Sequence, residues 1–136
     1  MVVGLTSGCF DLIHFGHVDY LARCKALCDR LIVGVDCDAM VRAAKGPMRP
    51  IIPELERLEM VRNLTPVDVA FLLTDLDDLD RMVRKFHVAK LFKHEGFENM
   101  AGVVGIGSGL AELVIVPDIP GLVSTSEIIR RIKEAG

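Results

Sequence analysis

"VVGLTSGCFDLIHFGH", residues 2–17, decides how the rest of the chain is read. Its opening "VVGLTS" (2–7) is a continuous apolar run of the kind carried by a strand buried on both faces. Just beyond the stretch, "VDYLARCKALC" (18–28) sets Val18, Leu21, Ala22 and Leu27 on one helical stripe. Between strand and helix lie Gly8, which allows a tight turn, and two histidines, His14 and His17, separated by Phe15-Gly16. A helix that begins at the carboxyl end of a strand points unsatisfied N–H groups at whatever binds there, and so attracts anions. The spacing has His17 opening the helix, His14 reaching the same point, and Gly16 leaving room for a phosphate against the backbone. Two imidazoles so placed can donate hydrogen bonds to phosphate oxygens. The plainer alternative is one capping histidine and one satisfied surface or core histidine.

The alternation of strand and helix continues. "RLIVGVD" (30–36), "VDVAFLL" (67–73), "AKLFKH" (89–94) and "LAELVIVP" (110–117) read as strands. "PELERLEMVRNL" (53–64), "LDDLDRMVRKF" (76–86) and "STSEIIRRIKE" (124–134) read as helices, the first opened by a proline. In the second of these, Leu76, Leu79, Val83 and Phe86 share one side, and the aspartates form a solvated face rather than a metal site. The glycine-rich "AGVVGIGSGL" (101–110) reads as a loose helix or a loop. Apolar strands alternating with helices predict a single α/β domain over 1–136. Its core is a doubly wound, mostly parallel, five-stranded sheet with helices on both faces. Such a sheet binds ligands beyond the carboxyl ends of its strands, where the strand order reverses.

Composition narrows the function. The 136 residues are 51% hydrophobic and 26% charged, with a formal net charge of -3, so no global field favours nucleic acid or a lipid surface. No apolar run approaches a membrane span and the N-terminus has no basic region, which leads to the expectation of a cytoplasmic protein. Cys9, Cys24, Cys28 and Cys37 show no paired-ligand spacing and read as reduced, partly buried thiols. A G-x-G-x-x-G run is absent, which disfavours a dinucleotide site.

Two further stretches supply groups of the right charge. In "KGPMRP" (45–50), Lys45 is a mobile point charge and Arg49 a planar fork, set in a Gly/Pro-rich loop after the second strand. The alternative there is a solvated turn. In "GLVSTSEIIRRI" (121–132), Ser124 and Glu127 have capping-box spacing. The hydroxyls of Ser124, Thr125 and Ser126 also offer donors to a phosphate chain, and Arg130 and Arg131 follow.

Taken together, "GCFDLIHFGH" and "STS" resemble the cytidylyltransferase-like nucleotidyltransferases, which carry a GxFDxxHxGH segment and a late STT helix start. The resemblance runs through essentially the whole chain in the same order. It implies Mg²⁺-dependent transfer of a nucleotidyl group from a nucleoside triphosphate to a phosphorylated small molecule, with release of pyrophosphate. It implies catalytic roles for His14, His17 and Lys45. It places Gly8, Cys9, Phe10, Asp11, Gly16 and Arg57 against the nucleotide, with Lys93, Gly121, Ser124, Thr125 and Ser126. Arg49, His94 and Glu95 fall on the acceptor side. The metal is expected to ride on the phosphates and water, with no protein cage. No nucleic-acid or membrane partner is implied, and a homodimer is compatible with the family.

Within the family, the lysine-glycine-x-x-arginine-proline loop and the Glu56-Arg57 pair resemble the adenylyltransferase domains that make ADP-heptose. The glycerol-3-phosphate cytidylyltransferases are the competing match, but "PDIPGLVSTS" lacks the arginine they carry before STT. ATP is therefore favoured over CTP, and a sugar 1-phosphate over a polyol phosphate. Two departures stand out: Ser126 in the third STT position, and "KHEGFEN" (93–99) where relatives show KGGD or GDD. The second departure admits a non-catalytic nucleotide-binding homologue as a further reading.

Overall fold

The computed structural model describes residues 1–94, 110–117 and 119–136. Five strands form one sheet: β1 (Val3–Gly8), β2 (Arg30–Asp36), β3 (Val69–Leu73), β4 (Lys90–His94) and β5 (Glu112–Val116). Their order is β3-β2-β1-β4-β5, and every pairing is parallel. The chain therefore winds outward from β1 to β3, then crosses back to place β4 on the free side of β1. The crevice between β1 and β4 is where the winding reverses, the position at which this architecture takes its ligands.

The helices are α1 (Phe15–Ala26), α2 (Asp38–Lys45), α3 (Glu54–Arg62), α4 (Leu76–Lys85) and α5 (Thr125–Ala135). Side chains alternate along each strand, so the sheet carries two cores. On one face Leu31, Val33, Val35 and Phe92 pack with Leu21 and Cys24 of α1 and Val61 of α3. On the other, Leu5, Ile32 and Leu91 pack with Leu79 and Val83 of α4. A Cβ on Gly4 would come within 2.3 Å of the Phe92 ring, so this central strand approaches the aromatic only because position 4 has no side chain.

Several sequence expectations are adjusted. The first helix starts at Phe15, so His14 is its N-cap and His17 sits inside its first turn instead of opening it. Pro53 is the N-cap of α3 rather than its first helical residue. Leu76 begins α4 but is 53% exposed, leaving Leu79 and Val83 to hold the helix to the sheet. The short helix α2 was not expected. Cys37 gives it no side-chain cap; Glu54 Oε1 instead accepts from the Asp38 N–H at 2.8 Å, a cap supplied from α3. The segment 101–109 and Glu95 lie outside the described residues.

Candidate active site

The β1–α1 connection is built around one buried carboxylate. Asp11, 1% exposed, accepts from the N–H of Ile51 at 2.7 Å and of Ile52 at 2.9 Å, one on each oxygen. Its own carbonyl accepts from the Thr125 hydroxyl at 2.8 Å. A single residue thus ties the first loop to the segment before α3 and to the start of α5. The neighbours on both sides adopt left-handed backbone, Phe10 at φ 54° and Leu12 at φ 49°. Such a conformation costs a side-chain-bearing residue about 1 kcal/mol or more, so the Asp11 contacts hold a connection that would otherwise relax.

The turn is therefore made by Phe10 and Leu12, and Gly8 remains in the strand. A Cβ on Gly8 would meet the Phe10 ring at 3.1 Å; what the glycine provides is space for that aromatic. Gly16 is similar. A Cβ there would lie 2.8 Å from His14 Cε1 and 2.9 Å from Nδ1, so the space it leaves is filled first by the His14 imidazole.

The two imidazoles are fixed by backbone. Gly16 N–H donates to His14 Nδ1 at 3.0 Å, and His14 N–H donates to His17 Nδ1 at 3.2 Å. Each ring accepts at Nδ1, so each neutral ring carries its proton on Nε2. The rings lie 4.0 Å apart between centroids, and Phe10 covers His17 at 5.6 Å. Burial is the main reason His17 is a weak base, with its pKa down at about 4; the His14 and Lys45 charges push the same way and Asp11 opposes them. Burial lowers the His14 pKa too. At neutral pH the pair therefore presents two uncharged Nε2–H donors at the start of α1.

The α5 terminus stands beside it. Ser124 caps α5, its Oγ accepting from the Glu127 N–H at 3.1 Å. The reciprocal half of the expected capping box is replaced: Glu127 turns to Arg130 and Arg131, whose side chains hold its carboxyl at a pKa of about 2. Thr125 is buried and spends its hydroxyl on Asp11, while Ser124 and Ser126 are exposed. Gly121, at φ 88°, needs the left-handed freedom of glycine to bring the chain into α5. The Val123 carbonyl lies 3.5 Å from where a Gly16 Cβ would sit, so the two helix starts are in contact. An apolar groove of about 640 Å³ opens between them, walled by Phe15, Gly16, Leu122, Val123 and Ile128.

Three basic residues surround this point in different ways. Lys45 ends α2, exposed, with its charge felt at His17 and Cys9. Arg49 has Nε 3.7 Å from Asp11 Oδ2, and its buried Nε and Nη2 make no hydrogen bond among the described residues. Arg57, 1% exposed, donates to the carbonyls of Ile52 (2.8 Å) and Cys9 (2.6 Å) and to Asp38 Oδ1 (2.9 Å). Its fork is held by these three protein acceptors and shapes the loop. The Cys9 thiol is raised by burial and the Cys24 thiol is pushed up to about 12, both unreactive.

At the carboxyl edge of β4, Lys93 is buried and donates to Ser7 Oγ at 3.2 Å. His94 is exposed and stands edge-on to Tyr20 at 6.4 Å, on the α1 side of the sheet. Ser7 and Asp36, the latter ending β2, reach the same edge and were absent from the sequence-derived set. Their signal was position: each sits in the last two residues of a parallel strand. No group of three or more His, Cys, Asp or Glu side chains among the described residues is arranged to hold a metal ion. Asp11 in particular has both oxygens committed to N–H donors.

A cytidylyltransferase-like family model matches residues 5–131. The chain belongs to that family. The His14–His17 pair lies at the edge where such a sheet takes its ligand. The chain is 40% identical over 131 residues to the bifunctional protein HldE of Caulobacter sp. (strain K31), covering 95% of this chain and 26% of that protein. The HldE protein of Rhodopseudomonas palustris (strain BisA53) is 35% identical, with 94% and 26% covered. The chain therefore spans about a quarter of the length of these relatives. Among solved structures, a lipopolysaccharide core biosynthesis protein from Thermoplasma volcanium GSS1 superposes with a TM-score of 0.70 at 28% identity, covering 88% of this chain and 97% of that one. Pantothenate synthetase from Thermus thermophilus has a TM-score of 0.66 at 14% identity, covering 99% of this chain and 65% of that one, a likeness of fold alone. No helix among the described residues is long and apolar enough to cross a membrane.

Proposed function

We propose that the protein transfers an adenylyl group from ATP to a small phosphorylated acceptor, a sugar 1-phosphate in the first instance, and releases pyrophosphate. The observation that carries this is the histidine pair, whose two Nδ1 atoms are occupied by backbone N–H groups so that both Nε2–H donors are left for a ligand.

The acceptor phosphate is ionised near neutral pH and acts as the nucleophile without a general base. One of its oxygens attacks the α-phosphorus in line, the bond to the β-phosphate oxygen breaks, and pyrophosphate leaves. Catalysis is then positioning and charge stabilisation. His14 and His17 donate to oxygens of the phosphate chain as charge builds there. Lys45 adds a cation from the α2 end. Ser124, Ser126 and the N–H groups opening α5 receive the β- and γ-phosphates. The apolar groove between α1 and α5 takes the base. Arg49, with two buried nitrogens lacking acceptors, is the counter-charge for the acceptor phosphate. Mg²⁺ would be held by the phosphates and water rather than by side chains, and when bound would add to the neutralisation of phosphate charge.

The lysine–arginine loop and the relatives at 35–40% identity favour ATP and a sugar phosphate. The test is a screen of ATP, CTP, GTP and UTP against sugar 1-phosphates and glycerol 3-phosphate, following pyrophosphate. ATP with a sugar 1-phosphate should give the highest rate. Turnover confined to CTP with glycerol 3-phosphate would replace the reading with the cytidylyl one. Nucleotide binding without pyrophosphate from any pair would replace it with a non-catalytic one.

A further inference from the structure

Asp36 closes β2 at the carboxyl edge of the sheet. Strand alternation puts it on the same face as Ile32 and Gly34. The β1–β2 register sets Gly34 beside Ser7, and Ser7 Oγ accepts from Lys93 Nζ at 3.2 Å. A carboxylate, a hydroxyl and an ammonium therefore line the ends of three adjacent strands, β2, β1 and β4, across the point where the winding reverses. Position 34 holds no side chain because the Phe71 ring of β3 takes that place, 2.9 Å from where a Cβ would sit.

None of the hydrogen bonds among the described residues ends on the Asp36 carboxylate. The residue is half-buried and its oxygens are not among the buried polar atoms left without a partner, so the carboxylate is open at the crevice. Burial raises its pKa, opposed by the charges of Lys93, Arg57 and Lys45. Burial lowers the Lys93 pKa, opposed by Asp36. Three cations around one acid leave no electrostatic demand for a metal ion or a cationic head group. They do leave room for a neutral donor. An alcohol is the group that fits, since one hydroxyl can donate to a carboxylate while accepting from an ammonium.

We propose that Asp36, together with Ser7 and Lys93, receives hydroxyl groups of the acceptor. The site selects polyhydroxylated phosphate esters over esters with an amino head group. This rests on the nucleotidyl-transfer reading above, and it moves Lys93 from the nucleotide to the acceptor side.

Asp36→Asn keeps the shape and removes the charge; Asp36→Ser is the second variant should the first fail to fold. Each is assayed beside the wild type with ATP and mannose 1-phosphate, glycerol 3-phosphate or phosphoethanolamine. The expected result is an acceptor KM raised by about tenfold or more for the hydroxylated esters, with the KM for ATP changed by less than about twofold. The preference over phosphoethanolamine should narrow. An unchanged acceptor KM, or a parallel rise in both KM values, overturns the inference and leaves nucleotidyl transfer standing. Absence of pyrophosphate from every ester overturns the transfer reading instead. Saturation-transfer NMR on mannose 1-phosphate then decides the inference: a signal that Asp36→Asn abolishes supports it, and equal signals or none with the wild type overturn it.

Discussion

The start of α1 and the start of α5 face the same crevice and solve the same problem by different chemistry. Each has orphan N–H groups to satisfy. At α1 the cap is an imidazole, and a second imidazole returns the favour to the cap's own N–H. At α5 a serine caps one N–H, and the acid three residues on is drawn away to two arginines. The first arrangement is closed and half-buried; the second is open to solvent. A closed cap fixes the direction of two donors, whereas an open one leaves its N–H groups and hydroxyls free to follow a longer ligand. Asp11 holds the two together, with its carboxylate on one side and its carbonyl on the other.

Breaking that link should have the largest effect. Asp11→Ala strands the Ile51 and Ile52 N–H groups and leaves the buried Arg49 nitrogens without their counter-ion, for a loss of about 4 kcal/mol in chemical denaturation. A loss below about 1 kcal/mol would show that the connection holds its shape without the carboxylate. Next, His17→Ala should cut the transfer rate by about two orders of magnitude or more, the scale seen on losing one transition-state donor. Pyrophosphate release at equal rates from variant and wild type would remove the pair from the chemistry.

The closed cap also has a pH signature. His17 has a folded pKa of about 4, below its unfolded value of 6.5, so the unfolded chain takes up the proton first as pH falls. Stability is full above about pH 6.5 and falls by roughly 2–3 kcal/mol towards pH 4 on account of this residue. His17→Gln should flatten that slope when unfolding free energies are compared at about pH 7 and about pH 4.5. Parallel slopes would discard burial of the neutral ring as the cause. The smallest effect belongs to the open cap: Ser124→Ala should cost about 1 kcal/mol in the same denaturation assay, the usual value of an N-cap hydroxyl.

The sheet and most helices were readable because burial on two faces writes an apolar run and burial on one writes a 3.6-residue stripe. The ligand edge was readable for the same reason, since "SGCFDLIHFGH" follows the first such run. What sequence did not disclose are contacts made across the fold. The short helix α2 borrows its cap from Glu54, sixteen positions away. The family resemblance sets Arg57 against the nucleotide, and no pattern in "ELERLEM" records the three protein acceptors it is buried against. Gly16 reads as space for a phosphate, but whether a ligand or a neighbouring ring fills a space depends on rotamers that no pattern records. Asp36 is one letter after "LIVGV", and only the strand order reveals that Lys93 stands across from it.

The hydroxyl of Thr125 meets the carbonyl of Asp11 over 114 positions of sequence. During synthesis the central strand emerges early, but its partner β4 and the start of α5 come much later. Contacts of such separation form slowly and late. A growing chain can therefore hold a β1–β2–β3 half-sheet while the crevice lacks one of its two helix termini. On the nucleotidyl-transfer reading proposed above, affinity for a triphosphate would be acquired at the end of folding, and nucleotide binding would report the last step rather than the first collapse.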